Sequence, residues 1–388
     1  LPGRWYLKGG VRWMSRSSVC STNPHLTSPT LGGGISPPKF GGDTEGVVGI
    51  SRSFDDHTRH HAFFTQITRP AGLVLAIILF CGIVLCGFSN EADAKSCRIA
   101  LVMKAVTNPF FHAMEEGAKT EAEKLGVTLL PASVERETDI DKQIGLVEDF
   151  IVKQVDAIVI APASSQGLVP VLKRAQSEGI YVVNIDNPLD KDAMKQQGFT
   201  CPFVGSDNQL GASIATHALV AKMGAVGEIA MLEGIPGVTN AELRKAGFLS
   251  VIEHVPGIKL VASQTANWET EQAFNVTSNI LTAHPNLRGI FCANDNMALG
   301  AIAALEAGGK TGEVAVTAYD NLEAAREAIL EGKMFATIEQ HPERMGAYGV
   351  RVAKDHLDGK PVEDYTRTPL DLIDYQYLVK VMGMAGKK

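Results

Sequence analysis

From Arg98 onward the chain alternates short, almost wholly apolar runs with stretches whose apolar residues recur at helical spacing. The run "RIALVM" leads into "PFFHAMEEGAKTEAEKLG", where Phe110, Met114 and Ala118 fall on one helical face and Gly126 stands where a helix should stop. The same pair of signals repeats through "DAIVIAPA", "IYVVNID", "GEIAMLEG", "KLVASQ", "LRGIFCAND", "EVAVTAYD" and "FATIEQ", each followed by a helix-period segment. A strand that is apolar at nearly every position must be covered on both faces, and parallel sheets with crossover helices provide that cover. The expected fold is therefore α/β, doubly wound and built twice over. A chain of 388 residues is long enough for two such domains, each with its own core.

The first 94 residues are of a different composition, with 8 basic and 6 acidic residues against 28 basic and 37 acidic in the remainder. A net charge of −9 from Lys95 onward, with no basic stripe, excludes nucleic acid as a partner. Residues 69–94, "RPAGLVLAIILFCGIVLCGFSNEADA", place a cation before an apolar run and end in small residues, the layout of a secretory signal peptide. A retained membrane anchor is the alternative reading of that run. Residues 1–68 show no periodic apolar pattern and read as a disordered leader or as misassigned upstream sequence. Beyond the export segment Cys97, Cys201 and Cys292 are too widely spaced for a disulfide framework, although an oxidising compartment leaves a Cys97–Cys201 bridge open.

In doubly wound sheets, ligands bind beyond the carboxyl ends of the strands, where loops enter helix N-termini. The residues at those ends are Lys104 and Asn108 with Phe110 and Phe111, then Asp186 and Asn187, Trp268, Asn294, Asp320 and Gln340. Helix capping explains some of the Asn and Asp residues but not the three aromatic rings. Sugar hydroxyls are donors that carboxylates and amide oxygens satisfy, and amide N–H groups or a lysine reach the remaining oxygens. The apolar C–H faces of a sugar ring match the negative faces of aromatic rings. The combination predicts a site for a small polyhydroxylated ligand.

The stretches "IALVMKAVTNPFFHAMEEGAKTEAEKLG", "NIDNP", "VGSDNQLGA", "FCANDNMALGAIAAL" and "AYDNLEAAREAILEGKMFATIEQHPERMGAYGV" resemble the ribose-binding branch of the periplasmic sugar-binding proteins, in order and in spacing, from about Arg98 to Tyr375. The resemblance implies two Rossmann-like lobes of the type 1 periplasmic binding fold, joined by a three-crossing hinge. Their expected limits are 95–205 with 341–370, and 206–340 with 371–388. It implies ligand contacts at Asn108, Phe110, Phe111, Asp186, Trp268, Asn294, Asp320 and Gln340, with Gln340 also at a crossing. It further implies a periplasmic monomer that passes a sugar or polyol to an ABC transporter permease, with no cofactor and no metal.

Three positions depart from the ribose pattern. Asn187 and Glu242 stand where that branch has arginines, and Lys104 replaces a small polar residue, as in relatives that bind rhamnose or autoinducer-2. The departures put Glu242 and Lys104 among the expected contacts and make ribose itself doubtful. Another pentose or hexose, a deoxy sugar, a polyol or an amino sugar is expected instead. A ligand-sensing subunit for a chemoreceptor or sensor kinase is the alternative, and a sugar-responsive transcription regulator a more distant one. An enzyme lacks its signatures: "GGKT" at 308–311 follows a helix, no G-x-G-x-x-G follows the first strand, and His112, His217, His254, His284, His341 and His356 have no metal-ligand spacing.

Overall fold

The computed structural model describes residues 97–105 and 107–383. The expected leader and the expected signal peptide, both upstream of Cys97, lie outside the described residues. Two six-stranded sheets organise the remainder. The first contains β1 (Arg98–Met103), β2 (Thr128–Ser133), β3 (Ala157–Ile160), β4 (Tyr181–Ile185), β5 (Phe203–Gly205) and β11 (Tyr365–Arg367), in the order β11-β5-β4-β3-β1-β2. The second contains β6 (Gly227–Glu233), β7 (Ile258–Thr265), β8 (Leu287–Cys292), β9 (Ala315–Thr317), β10 (Ala336–Glu339) and β12 (Asp371–Asp374), in the order β12-β10-β9-β8-β6-β7. Every pairing is parallel except β10 with β12, which is antiparallel at one edge. Each sheet places its first strand between its second and third, so each has a topological switch point there.

The apolar runs explain the layering. In β1 every residue from Ile99 to Met103 is buried, and β3 is buried throughout, as strands covered on both faces must be. In contrast, β2 carries Pro131 and is only partly buried, in keeping with its place at a sheet edge. The helix Pro109–Leu125 buries Phe110, Phe111, Met114 and Ala118, and Gly126 closes it in the left-handed conformation at φ 65°. Asn108 caps its start by accepting from the Phe110 N–H at 3.1 Å.

The chain passes between the sheets three times: between β5 and β6, between β10 and the helix Pro342–Leu357, and between β11 and β12. The short strands β5, β11 and β12 and the helices Lys191–Gln196 and Tyr375–Val381 were not anticipated from the apolar pattern. Cys97, Cys201 and Cys292 are all free thiols, so the bridge left open between Cys97 and Cys201 is not formed. Burial pushes the Cys201 thiol up to about 12, which holds it as an unreactive thiol. Among the described residues no helix is long and apolar enough to cross a membrane.

Candidate functional site

The carboxyl ends of both sheets face one narrow chamber, lined by Asn108, Phe110, Phe111, Glu137, Asp186, Asn240, Arg244, Trp268, Asn294, Asp320 and Gln340. Residues from both sheets contribute, so the chamber exists only where the two halves meet.

On the first half, the wall is a buried charge cluster. Lys104 Nζ lies 3.2 Å from Glu137 Oε2 and 3.1 Å from Asp186 Oδ2. Burial pulls the Lys104 ammonium down, but the Asp186 and Glu137 carboxylates beside it outweigh burial and raise it above the ordinary lysine value. Asn108 joins the cluster by donating from Nδ2 to Glu137 Oε1 at 3.2 Å. Phe110 and Phe111 meet edge to face, with centroids 5.3 Å apart, and the Lys104 ammonium stands 5.3 Å from the Phe111 ring centre. Lys104 therefore works behind the wall: it holds two carboxylates in place while they face the chamber.

On the second half the organiser is Arg244. Its guanidinium lies 3.8 Å from the Tyr319 ring centre, donates to Asn208 Oδ1 at 2.8 Å and to the Ala293 carbonyl at 2.6 Å, and comes within 3.5 Å of Asp320 Oδ1. Gln340 donates from Nε2 to Asp320 Oδ1 at 2.7 Å, and Ser206 in turn donates to Gln340 Oε1 at 2.9 Å. Asp320 is pushed up to about 7, chiefly by burial; Arg244 pulls it down, while Asp186 and Glu137 across the chamber push it up. Asn294 spends its Oδ1 capping the helix Asp295–Ala307 and turns its Nδ2 toward the Trp268 carbonyl. The Trp268 indole packs so closely on Gly234 that a Cβ there would sit 2.0 Å from a ring carbon, so only glycine lets the ring reach this place.

Of the eleven residues expected at the site, Asn108, Phe110, Phe111, Asp186, Trp268, Asn294, Asp320 and Gln340 line the chamber and Lys104 supports it. Two are corrected. Glu242 is exposed and accepts from the Gly237 N–H at 2.9 Å, because it lies on the outward face of the helix Thr239–Ile252. Asn187 is fully buried but off the chamber; its side chain bonds Pro162 and Ser165 and accepts from the Asn240 N–H. Glu137, Asn240 and Arg244 were missed. Asn240 and Arg244 are four apart and therefore share a face of that helix, a spacing visible in "TNAELRK". Glu137 lies a little beyond β2, in the stretch "VERETD", whose run of charges reads as solvated loop. The supposed loss of both guanidinium groups is thus half wrong, since Arg244 supplies one.

The backbone also marks the site. Asp186, Trp268 and Asp320 have φ of 64°, 67° and 116°, conformations that L-residues seldom adopt. Three buried polar atoms of chamber residues, Asp186 Oδ2, Asn240 Oδ1 and Trp268 Nε1, make no hydrogen bond; the first has only its ion pair with Lys104. Outside the chamber, Glu339, His341 and Glu343 place ligand-type atoms within 4.8 Å of one another, a proximity the sequence did not suggest. His341 Nε2 is 2.9 Å from Asp371 Oδ2 and Nδ1 3.2 Å from Glu343 Oε1, so the ring ties the second passage between sheets to the third.

The periplasmic binding protein domain model matches residues 99–361. The D-ribose/D-allose-binding protein of Pseudomonas aeruginosa is 39% identical over 282 residues, covering 71% of this chain and 88% of that protein. The D-allose-binding periplasmic protein of Escherichia coli is 38% identical over 258 residues, covering 66% and 83%. Among solved structures, an ABC transporter periplasmic solute-binding protein from Actinobacillus succinogenes with bound D-allose superposes with a TM-score of 0.70 at 40% identity, over 72% of this chain and 98% of that one. With two parallel-sheet lobes enclosing one chamber and a family match across both, the chain belongs to the periplasmic binding protein family and has its type 1 fold.

Proposed function

We propose that this protein captures a single monosaccharide between its lobes and delivers it to an ABC transporter permease, with D-allose the first candidate and related hexoses and pentoses next. The observation that carries this reading is the chamber's lining: aromatic rings from both halves, three carboxylates, and buried donor and acceptor atoms with no hydrogen bond within the protein. Ring C–H faces would stack between Phe110 or Phe111 and Trp268, and hydroxyls would pair with Asp186, Asp320, Asn240 and the indole N–H. The relatives named for D-allose and D-ribose support the ligand class. Arg244 returns one guanidinium to the chamber, so ribose rejoins the candidates.

The mechanism is mechanical. Each lobe alone offers half of the contacts, so the sugar binds the closed form far better than the open one and shifts the equilibrium toward closure. The three passages between sheets serve as the hinge, with the lobes divided at 205/206, 340/341 and 370/371. The closed outline is what the permease reads, in the periplasm, after export directed by residues 69–94. The test is a titration of the mature chain with D-allose, D-ribose and myo-inositol, read by thermal shift and by Trp268 fluorescence. D-allose should bind at micromolar concentration, a free energy of about −8 kcal/mol. A melting temperature and emission spectrum that none of the three alters would overturn the proposal.

A further inference from the structure

The helix Thr239–Ile252 begins without a cap of its own: Val238 precedes it and provides no side-chain hydrogen bond. The first N–H groups of any helix lack intrahelical partners. Here two of them are satisfied from the opposite lobe. The Thr239 N–H donates to Ser165 Oγ at 2.9 Å, and the Asn240 N–H donates to Asn187 Oδ1 at 3.1 Å. Ser165 and Asn187 follow β3 and β4 of the first sheet, whereas the helix follows β6 of the second.

We infer that Ser165 and Asn187 act as a closure latch, capping in trans a helix N-terminus that only the closed arrangement brings within reach. The acceptors are built for the purpose. Ser165 and Asn187 are almost wholly buried, Asn187 Nδ2 donates to the Pro162 carbonyl at 3.0 Å and to Ser165 Oγ at 3.2 Å, and the Asn187 carbonyl accepts from Asn184 Nδ2 at 2.9 Å. These bonds fix Asn187 with Oδ1 presented to the other lobe. The latch is also coupled to the ligand site on both sides. Asn187 is the neighbour of Asp186, and Asn240 carries both the latched N–H and a side chain in the chamber. A ligand that orders Asp186 and Asn240 therefore sets both halves of the latch in register.

This inference rests on the closing-cleft reading, and it makes Ser165 and Asn187 positioning residues that touch no ligand. Opening returns the two N–H groups to water, so each bond favours closure by the modest ratio of a helix cap, about five-fold. Since apparent affinity scales with the closed fraction, the loss should appear in the dissociation rate.

The cleanest perturbation is Thr239→Pro. Proline is well accepted at the first helical position, and Val238 already has the extended conformation that must precede it, at φ −87° and ψ 124°. The substitution deletes the N–H that crosses the cleft while keeping a residue suited to the helix start, and Ser165→Ala removes the same contact from the other side. Stopped-flow Trp fluorescence with D-allose should show dissociation about five-fold faster in Thr239→Pro and in Ser165→Ala, with association unchanged and with circular dichroism as the check on folding. The double variant Ser165→Ala/Thr239→Pro should be no worse than Ser165→Ala alone, because the Thr239 N–H has already lost its acceptor there, whereas Ser165→Ala also loses the bond from Asn187 Nδ2. Unchanged dissociation, or losses that multiply in the double variant, would overturn the latch. If wild type gives no response to D-allose, the ligand assignment fails and the latch is read without sugar by hydrogen exchange. Faster exchange at the Asn240 amide in Thr239→Pro supports it, and exchange equal to wild type refutes it.

Discussion

Replacing Asp320 by asparagine should make the ligand-free protein more stable and worse at binding, and the stability gain should depend on pH in a set direction. Asp320 is buried and raised from 3.8 to about 7. Between those values the folded state holds a proton that the unfolded chain has lost, so stability falls as pH rises from about 4 to about 7 and levels off above. Each pH unit between them is worth about 1.4 kcal/mol, so the charged side chain costs the fold up to about 4 kcal/mol at pH 8. The substituted side chain would carry no charge, and its amide oxygen can still accept from Gln340 Nε2. At ~2 °C per kcal/mol for a protein of this size, Asp320→Asn should melt up to about 8 °C above wild type at pH 8 and level with it near pH 4. Affinity should drop by about 10- to 100-fold, because a hydroxyl loses a charged acceptor. Differential scanning fluorimetry from pH 4 to 8, with and without D-allose, measures both. Melting curves that stay parallel across that range, or an asparagine variant that binds as tightly as wild type, would refute the reasoning.

The other substitutions separate support from contact. Lys104→Met leaves the buried Glu137 and Asp186 carboxylates without their cation and should cost about 3–5 kcal/mol in urea unfolding at pH 7. The raised Lys104 value means that this contribution is complete below pH 10.5 and fades only as pH rises through the higher folded value, so the deficit should be flat through neutral pH. Gly234→Val would put carbon where the Trp268 ring lies, so the indole must leave; the expected outcome is a red-shifted emission and no D-allose response. Arg244→Met removes the group that pulls Asp320 down, so the fall in stability should continue above pH 7, where wild type levels off.

The parts of the fold that could be read from sequence are those where burial dictates composition. β1, β3, β4, β6 and β8 are buried on both faces and so are written almost entirely in apolar residues. β5 and β11, three residues each, bury too little to carry a pattern, and β12 is four residues long with only Leu372 and Ile373 apolar between two aspartates. At the site the residues immediately after strands were legible, because topology alone places them at the chamber. Arg244 was not, since it enters from the first turns of a helix, and reading its position by analogy with an arginine two residues earlier put Glu242 in its place. A helix advances about 200° over two residues, which carries a side chain from the chamber to solvent. Asn187 shows the opposite limit. Its neighbour Asp186 faces the chamber, while Asn187 turns its side chain into Pro162, Ser165 and Asn240, a choice made by partners distant in sequence.

The strained backbone explains how strand ends become a binding surface. Of the eight non-glycine residues with positive φ among those described, Gln154 and Ala225 merely follow helices, and the other six, Asp186, Asn267, Trp268, Asp320, Asn321 and His341, all follow strands of the two sheets. Such conformations cost of order 1–3 kcal/mol each for residues other than glycine or asparagine. Glycine would relieve the strain at Asp186, Trp268 and Asp320, but it would also delete the carboxylate or the indole. The conformation survives because the surroundings over-determine it: the Asp320 N–H donates to the Ile338 carbonyl at 2.8 Å while its side chain is held by Gln340, and Trp268 is seated against Gly234. The left-handed turn ends the strand direction abruptly and aims the side chain across the gap at the opposite lobe. Strain, orphaned polar atoms and a carboxyl raised to about 7 therefore coincide at one place, the chamber we propose for the sugar.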